Sequence, residues 1–173
     1  MKTTTIILIS LLFALAQSKT VEEGSYRFTC LADNFALDNE NGGTDPGAFL
    51  IVYPSDEGGP SYPDNQLYTV KYISGVWATL TNVRSGYTVT VQGTNADALY
   101  THESLTEDDN QLFKFTSTKD GYWIVTNKAS GLIITCPDDR ITPDADYPAV
   151  QGYNTCSSIG KFILTPASEF PTE

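Results

Sequence analysis

The residues of this chain that could carry out acid–base or nucleophilic chemistry are few and poorly placed. His102 is the only histidine, and the sequence predicts it in a short exposed loop without a nucleophile motif nearby. No Gly-x-Ser-x-Gly, His-Glu-x-x-His or phosphate-loop pattern is present. Adjacent acids such as Asp108 and Asp109 could in principle hydrolyse a glycoside, but that mechanism needs two carboxyl groups facing each other across a cleft. We therefore expect no catalytic residues.

An acidic loop at 138–146 is the segment that could suggest a metal site. Its aspartates include the neighbouring pair Asp138 and Asp139, but they lack the alternating ligand spacing of calcium-binding loops. The sequence also carries no phosphate-binding or dinucleotide-binding glycine pattern that would indicate a cofactor. We therefore expect neither a metal nor a cofactor.

The charge and the first residues indicate an extracellular protein. The 173-residue chain has a formal net charge of −11, and a surface this acidic repels phosphate backbones and anionic lipids. We therefore expect neither nucleic acid nor a membrane as a partner. Residues 6–16 form a short apolar run that ends in Ala14-Leu15-Ala16, a small-x-small cleavage pattern. These features predict a secretory signal peptide at 1–16 and a single secreted domain at 17–173.

The three cysteines of a secreted chain predict one disulfide and one cysteine left over. Cys136 and Cys156 lie close in the sequence, on either side of a loop rich in Asp and Pro, which favours them as the bonded pair. Cys30 lies in the first predicted strand, where the simplest interpretation is a small buried apolar residue and the alternative is an intermolecular bridge. One bridge is too few for a disulfide scaffold, so an apolar core must hold the fold.

An internal repeat shows how the chain is organised. The sequence Asp-Asn-Gln-Leu-Tyr at 64–68 recurs 45 residues later as Asp-Asn-Gln-Leu-Phe at 109–113. At the same offset, a Thr-Asn-x-x-Ser-Gly-x-x-x-Thr pattern that begins at Thr81 recurs at Thr126. A repeat of this length indicates one supersecondary unit that has been copied, and each copy is too small to bury its own apolar face. The copies must therefore share one core.

Short runs rich in Val, Ile, Thr, Tyr and Phe alternate with clusters of Gly, Asn, Asp and Pro, and no segment has a sustained helical period. This pattern predicts an all-β protein with three sets of four strands. The predicted strands are 26–31, 35–38, 48–53 and 67–72; 77–81, 87–91, 97–101 and 112–116; and 122–126, 132–136, 149–153 and 162–165. The three units span about 24–73, 74–118 and 119–166. Three related units favour a closed threefold arrangement.

Each unit ends with a Gln-x-aromatic motif or a variant of it. The three copies are Gln66-x-Tyr68, Gln111-x-Phe113 and Gly160-x-Phe162. In the first two copies the motif is preceded by Asp-Asn and followed by a hairpin that ends in Ser-Gly. This arrangement resembles the ricin B-chain-like lectins. The resemblance implies a β-trefoil, in which twelve strands form three pseudo-symmetric four-stranded units.

In that family, each unit can hold a shallow sugar pocket. The pocket consists of an Asp near the end of the second strand, an aromatic residue at the end of the third, and an Asn-Gln pair beside the closing motif. A carboxylate can accept charge-assisted hydrogen bonds from two neighbouring hydroxyls, and the apolar face of the sugar can lie on the aromatic ring. Carried onto this chain, the resemblance implies a sugar pocket in the first unit, formed by Asp38, Tyr53, Asn65 and Gln66.

The other two units depart from the family pattern at the carboxylate, which is replaced by Thr90 and Thr135. A threonine hydroxyl cannot accept two strong hydrogen bonds as a carboxylate can. The resemblance therefore implies only a weaker second site, formed by Tyr100, Asn110 and Gln111. The third unit keeps little more than Gln151 and Tyr153 and is a poor candidate.

Two classes of function remain. The first is a secreted carbohydrate-binding protein, a lectin without catalytic activity whose partners are glycans or glycoproteins. The second is a secreted protease inhibitor, because Kunitz-type and mushroom cysteine-protease inhibitors are also β-trefoils and act through exposed loops. Three loops rich in Gly, Pro and Asp are available for this, at 38–47, 54–63 and 137–148. The repeated Asp-Asn-Gln-Leu sequence favours the lectin.

Overall fold

The structure is a computed structural model that describes five parts of the chain. These parts are residues 20–31, 35–55, 64–136, 147–152 and 158–170. The predicted signal peptide at 1–16 and the acidic loop at 138–146 lie outside them. Within the described parts, no helix has the length and hydropathy that a bilayer-spanning segment needs.

The described residues form antiparallel strands joined by turns and short 3₁₀ segments. The strands are β1 (Gly24–Cys30), β2 (Phe35–Asn39), β3 (Leu50–Pro54), β4 (Leu67–Ser74), β5 (Trp77–Asn82), β6 (Thr88–Val91), β7 (Tyr100–Glu103), β8 (Phe113–Ser117), β9 (Trp123–Asn127), β10 (Ile133–Thr135), β11 (Tyr147–Pro148), β12 (Val150–Gly152) and β13 (Phe162–Pro166). Each predicted strand overlaps one of these, and β11 is an additional two-residue strand that pairs with β3. The all-β prediction is confirmed.

Six of the strands close into a barrel, and one hairpin from each unit covers one end of it. The barrel strands pair in the cyclic order β1-β4-β5-β8-β9-β13, with β13 returning to β1. The covering hairpins are β2–β3, β6–β7 and β10–β12. This architecture is a β-trefoil with three pseudo-symmetric units, and the fold that the resemblance implied is confirmed.

The core of the barrel contains one equivalent aromatic side chain from each unit. Tyr68, Phe113 and Phe162 come from the three closing motifs, and all three are fully buried. The ring of Phe28 packs edge-on against those of Tyr68 and Phe162, with centroids 6.1 Å and 6.3 Å apart. Each unit therefore contributes a ring to a core that no unit could enclose alone, which is the physical reason for the repeat.

The repeated Asn of the hairpin turns is a structural residue. The side-chain carbonyl of Asn127 accepts a hydrogen bond from the backbone N–H of Ser130 at 3.2 Å. Its amide donates to the backbone carbonyls of Asn110 and Leu112, at 3.0 Å and 3.3 Å. Asn82 makes the same set of bonds in the preceding copy. One buried side chain thus joins each turn to the segment that carries the Asn-Gln pair.

We expect the substitution Asn127→Ala to lower the free energy of unfolding by about 2–3 kcal/mol, because buried backbone groups on both sides lose their partner. Urea unfolding followed by tryptophan fluorescence measures this change. Asn95→Ala is the control, since Asn95 is an exposed loop residue and its replacement should cost less than about 0.5 kcal/mol. Equal effects of the two substitutions would contradict the structural role of Asn127.

The disulfide joins Cys30 to Cys136, so the predicted pairing of Cys136 with Cys156 is wrong. The two bonded residues are 106 positions apart in the sequence, yet their Cα atoms are 6.2 Å apart. Barrel closure explains this, because the segments that carry them both bond to the segment before β13. Leu31 N–H donates to the carbonyl of Lys161, and Cys136 N–H donates to that of Ile159.

The same disulfide corrects both interpretations of Cys30. Cys30 is neither a free buried thiol nor an intermolecular bridge, because its sulfur is bonded within the chain. Cys156, the remaining cysteine, lies outside the described residues. The bridge therefore connects the first unit to the third rather than closing a loop inside the third unit.

His102 lies in β7 and is fully buried, so the prediction of an exposed loop residue is wrong. Its Nδ1 is 3.1 Å from the carbonyl oxygen of Ala48, and its Nε2 is 3.3 Å from the hydroxyl of Tyr68. A carbonyl can only accept, so the ring proton is on Nδ1 and Nε2 accepts from Tyr68. The backbone of His102 also bonds to Gly47 and Ala48. A residue of the second unit thus holds the β2–β3 loop of the first.

Candidate functional site

The β2–β3 hairpin of the first unit places an acid and an aromatic side chain on one face. Asp38 is opposite Ile51 in the strand pairing, and Tyr53 is opposite Ala36. Directly opposed residues share a face, and so do residues two apart on one strand. Asp38 and Tyr53 are therefore diagonal neighbours on the same face of the hairpin.

The Asn65-Gln66 pair contacts Asp38 from the 3₁₀ segment that precedes β4. Asn65 Nδ2 donates to Asp38 Oδ1 at 2.8 Å, and Gln66 Nε2 donates to Asp38 Oδ2 at 2.9 Å. Gln66 Nε2 also donates to the backbone carbonyl of Pro54 at 3.1 Å. Two amides therefore fix the plane of the carboxylate, whose oxygens together have about four acceptor positions. The structure brings together Asp38, Asn65 and Gln66 as a hydrogen-bonded group.

The four side chains range from buried to open. Asp38 is 3% exposed and Gln66 is 0% exposed, whereas Asn65 is half-buried and Tyr53 is 39% exposed. Tyr53 is thus the most accessible side chain of the group, and the carboxylate of Asp38 is almost entirely buried. Hydrogen bonds to a carboxylate that is shielded from water are stronger than those to an exposed one.

The second unit repeats the hydrogen-bond frame without the carboxylate. Gln111 Nε2 donates to the hydroxyl of Thr90 and to the carbonyl of Ser104, both at 2.9 Å. These are the counterparts of the two bonds that Gln66 makes. The hydroxyl of Thr90 donates in turn to the carbonyl of Thr88 at 3.1 Å. Thr90 therefore has its single donor engaged and offers no negative charge.

The side-chain carbonyls of Gln111 and Gln66 have different surroundings. Gln111 Oε1 accepts hydrogen bonds from the backbone N–H groups of Thr106 and Glu107, at 2.7 Å and 3.1 Å. The loop of the second unit therefore closes over its own Gln. Gln66 Oε1 is buried and has no hydrogen-bond donor among the described residues. The positions of the first unit that correspond to Thr106 and Glu107 lie within 56–63, outside the described residues.

Tyr100 faces the core, so the prediction that it presents its ring to a sugar in the second unit is wrong. It is 0% exposed, and its ring centroid is 6.2 Å from that of Phe113. Burial also raises the pKa of its hydroxyl. In the strand pairing Thr90 is opposite Thr101, so the counterpart of Tyr53 is Glu103. The predicted strand 97–101 ended two residues before the end of β7. The prediction therefore placed Tyr100, and not Glu103, at the position equivalent to Tyr53.

The third unit has glycine at two of the positions that matter in the first. Thr135 is opposite Val150, which makes Gly152 the counterpart of Tyr53. A Cβ atom on Gly152 would lie 2.6 Å from Thr135 Cγ2, so packing excludes a larger side chain there. Gly160 replaces the motif Gln, and a Cβ atom on it would overlap the side chain of Ile133. Tyr153, the predicted aromatic residue of this unit, lies outside the described residues.

The adjacent acids considered for glycosidase chemistry have other partners. Asp109 forms an ion pair with Lys128, with Oδ1 2.6 Å from Nζ, and Asp108 accepts a hydrogen bond from the hydroxyl of Thr106 at 2.8 Å. Asp138 and Asp139 lie outside the described residues. The parts of the chain that the structure describes contain no group of three or more His, Cys, Asp and Glu residues arranged to hold a metal ion.

The chain resembles known proteins in both sequence and fold. Residues 64–149 match a family model described as ricin-type β-trefoil lectin domain-like. The resemblance to the ricin-type β-trefoil lectins is thereby confirmed. The matched segment contains Asn65, Gln66 and the whole second unit, so it includes both copies of the Asp-Asn-Gln-Leu sequence.

Solved structures with the same fold include lectins and other proteins. ThreeFoil, a designed threefold-symmetric protein, is 23% identical with a TM-score of 0.73, and the match covers 83% of this chain and 99% of that one. The Rhizoctonia solani agglutinin is 18% identical with a TM-score of 0.70, covering 86% and 98%. An exo-β-1,3-galactanase from Clostridium thermocellum is 19% identical with a TM-score of 0.72, covering 86% of this chain but 31% of that one. At these identities the likeness shows a shared fold. No curated protein sequence matches the chain.

Proposed function

We propose that this protein is a secreted, non-catalytic carbohydrate-binding protein that recognises glycans through the pocket of its first unit. The observation that carries the proposal is the carboxylate of Asp38, held by Asn65 and Gln66 beside the exposed ring of Tyr53. The match to the ricin-type lectin family supports the same function. The predicted signal peptide at 1–16 and a disulfide, which is typical of oxidising compartments, support secretion.

The chemistry of the pocket suits a monosaccharide at the end of a glycan. The apolar face of the sugar would lie on the ring of Tyr53, and two neighbouring hydroxyls would donate to Asp38. Asn65 lies beside the carboxylate and is half-buried. Its amide can therefore form a hydrogen bond with one of these hydroxyls and select its orientation. A single shallow site of this kind binds at roughly the millimolar level, about −4 kcal/mol. Useful avidity would then come from clustered glycans.

We expect Asp38→Asn to weaken glycan binding at least tenfold. The amide keeps the shape of the carboxylate but removes its charge, and it places a donor where Asn65 or Gln66 already donates. Losing one charge-assisted hydrogen bond costs about 1.5–3 kcal/mol. A glycan array identifies the strongest ligand, and NMR titration of the corresponding monosaccharide measures its dissociation constant for both proteins.

Tyr53→Ala tests the aromatic surface, and Glu103→Ala, at the equivalent position of the second unit, is its matched control. We expect the first substitution to reduce affinity several-fold and the second to leave it unchanged. Unaltered binding by Asp38→Asn would contradict the location of the pocket. The absence of any glycan signal from the wild-type protein would overturn the proposed function itself.

The protease-inhibitor hypothesis stays a prediction. Two of the three loops on which it depends, 54–63 and 137–148, lie mostly outside the described residues. The glycan array can be accompanied by inhibition assays with papain and trypsin on the same preparation. Inhibition without glycan binding would favour this alternative.

A further inference from the structure

The segment before β1, residues 20–23, packs against strand β4. Val21 in this segment is buried and belongs to the apolar core. Its carbonyl accepts a hydrogen bond from the hydroxyl of Tyr72 at 2.9 Å. The backbone N–H of Tyr72 donates to the carboxylate of Glu23 at 2.7 Å. The segment is therefore bonded to β4, and its residues line several clefts.

One of these clefts is largely apolar and has a volume of about 400 Å³, which is within the range of small-molecule sites. Its walls include Val21, Tyr72, Val76 and Phe115. The ring of Phe115 is 6.1 Å from that of Phe28, and Tyr72 is held by its bond to Val21. Val76, in the turn between β4 and β5, is 57% exposed at the mouth. Contacts with the core thus fix Phe115 and Tyr72, and the cleft is open to solvent at Val76.

The charge of this cleft differs from that of its neighbours. Lys114 is the charged residue that lines it, and Lys114 forms no ion pair with any residue in the described ranges. Its Nζ lies 5.8 Å from the ring centroid of Trp77. Two other clefts lined by this segment contain Glu22, with Glu23 in one and Glu169 in the other. The net charge of −11 repels anions at long range, so the ammonium group of Lys114 beside apolar walls is the local feature that favours an anionic ligand in this cleft.

We propose that this cleft is a second binding site, separate from the sugar pocket, for a small apolar carboxylate. The ring or alkyl group of the ligand packs between Tyr72 and Phe115, and its carboxylate pairs with the ammonium group of Lys114. The ring of Trp77, with its centroid 5.8 Å from Lys114 Nζ, limits the positions that the ammonium group can take. The hydroxyl of Tyr72 donates to the carbonyl of Val21 and is uncharged at neutral pH, so it does not repel the anion.

The test uses 4-phenylbutyrate and its uncharged amide, titrated into the full-length mature protein. Tryptophan fluorescence follows binding through Trp77, and amide chemical shifts of Tyr72, Val76 and Phe115 locate it. We expect the carboxylate to bind at least tenfold more tightly than the amide, because only the carboxylate forms a charge-assisted bond. Lys114→Gln should weaken binding of the carboxylate about tenfold and abolish the preference over the amide.

Lys128→Gln is the matched control for Lys114→Gln. Its Nζ is also 5.8 Å from the centroid of Trp77, but it pairs with Asp109 and does not line the cleft. We expect this variant, and also Asp38→Asn, to bind the carboxylate as the wild type does. Equal losses in the two lysine variants, equal binding of carboxylate and amide, shifts confined to other surfaces, or no binding would each overturn the proposal. None of these outcomes depends on whether the protein binds glycans.

Discussion

Replacing Cys30 and Cys136 together by serine is expected to lower the free energy of unfolding by about 4–5 kcal/mol. The bridge closes a loop of 106 residues, and a cross-link over about 100 residues restricts the unfolded chain by roughly this amount. It also joins the first and third units, whose contact completes the barrel. Guanidinium unfolding of the wild type and of the double variant measures the difference.

The control for this prediction is Cys156→Ser. If Cys30 is the partner of Cys136, this substitution should change the free energy of unfolding by less than about 0.5 kcal/mol. Peptide mapping of the unreduced protein gives an independent answer, since it should recover a peptide pair containing Cys30 and Cys136. Recovery of Cys136 linked to Cys156, or a large loss of stability in Cys156→Ser, would contradict the pairing.

Acidification from pH 6.5 to pH 4 is expected to remove about 3 kcal/mol of stability through His102 alone. Burial lowers the pKa of His102 to about 4, against a smaller opposing effect of its hydrogen bond to the Ala48 carbonyl. In the unfolded chain the imidazole has its ordinary pKa near 6.5. Between these values the unfolded state binds a proton that the native state does not, so the free energy of unfolding falls as the pH falls. The full contribution is present above pH 6.5.

His102→Gln isolates this contribution, because the chain has no other histidine. The variant should be less stable than the wild type at pH 7, since Tyr68 and Ala48 lose a well-placed partner. Its deficit should then shrink by about 3 kcal/mol on acidification to pH 4, because it lacks the group whose protonation favours unfolding. Urea unfolding at several pH values gives both curves. Parallel curves would show that the protonation of His102 is the same in the folded and unfolded states.

The fold could be predicted because the repeat records a physical requirement. Each unit must contribute one buried ring to a common core, and the recurrence of Tyr68, Phe113 and Phe162 at equivalent places is visible in the sequence. The contacts among Asp38, Asn65 and Gln66 were also accessible through the family resemblance. The contact between Gln66 and Pro54 could not be predicted from the sequence. It uses a backbone carbonyl, which every residue type has.

The errors concern contacts between units. Tyr100 and His102 are two residues apart on β7, and both side chains point into the core. A histidine is a polar residue type, so a prediction from the sequence ends the strand before it. Its partners, Tyr68 and Ala48, belong to the first unit, so nothing nearby in the sequence indicates that the ring can be buried. The disulfide was missed for the same reason, since proximity along the chain favoured Cys156 over Cys30.

His102 forms hydrogen bonds with Gly47 and Ala48 in the loop that follows Asp38. The candidate lectin pocket therefore depends on more than one unit. The second unit anchors the hairpin that carries the acid, and the third is covalently attached to the strand before it. A single excised copy would lack both restraints, and its acid and ring would have no fixed spacing to offer a ligand. The proposed sugar recognition by the first unit therefore requires the complete trefoil.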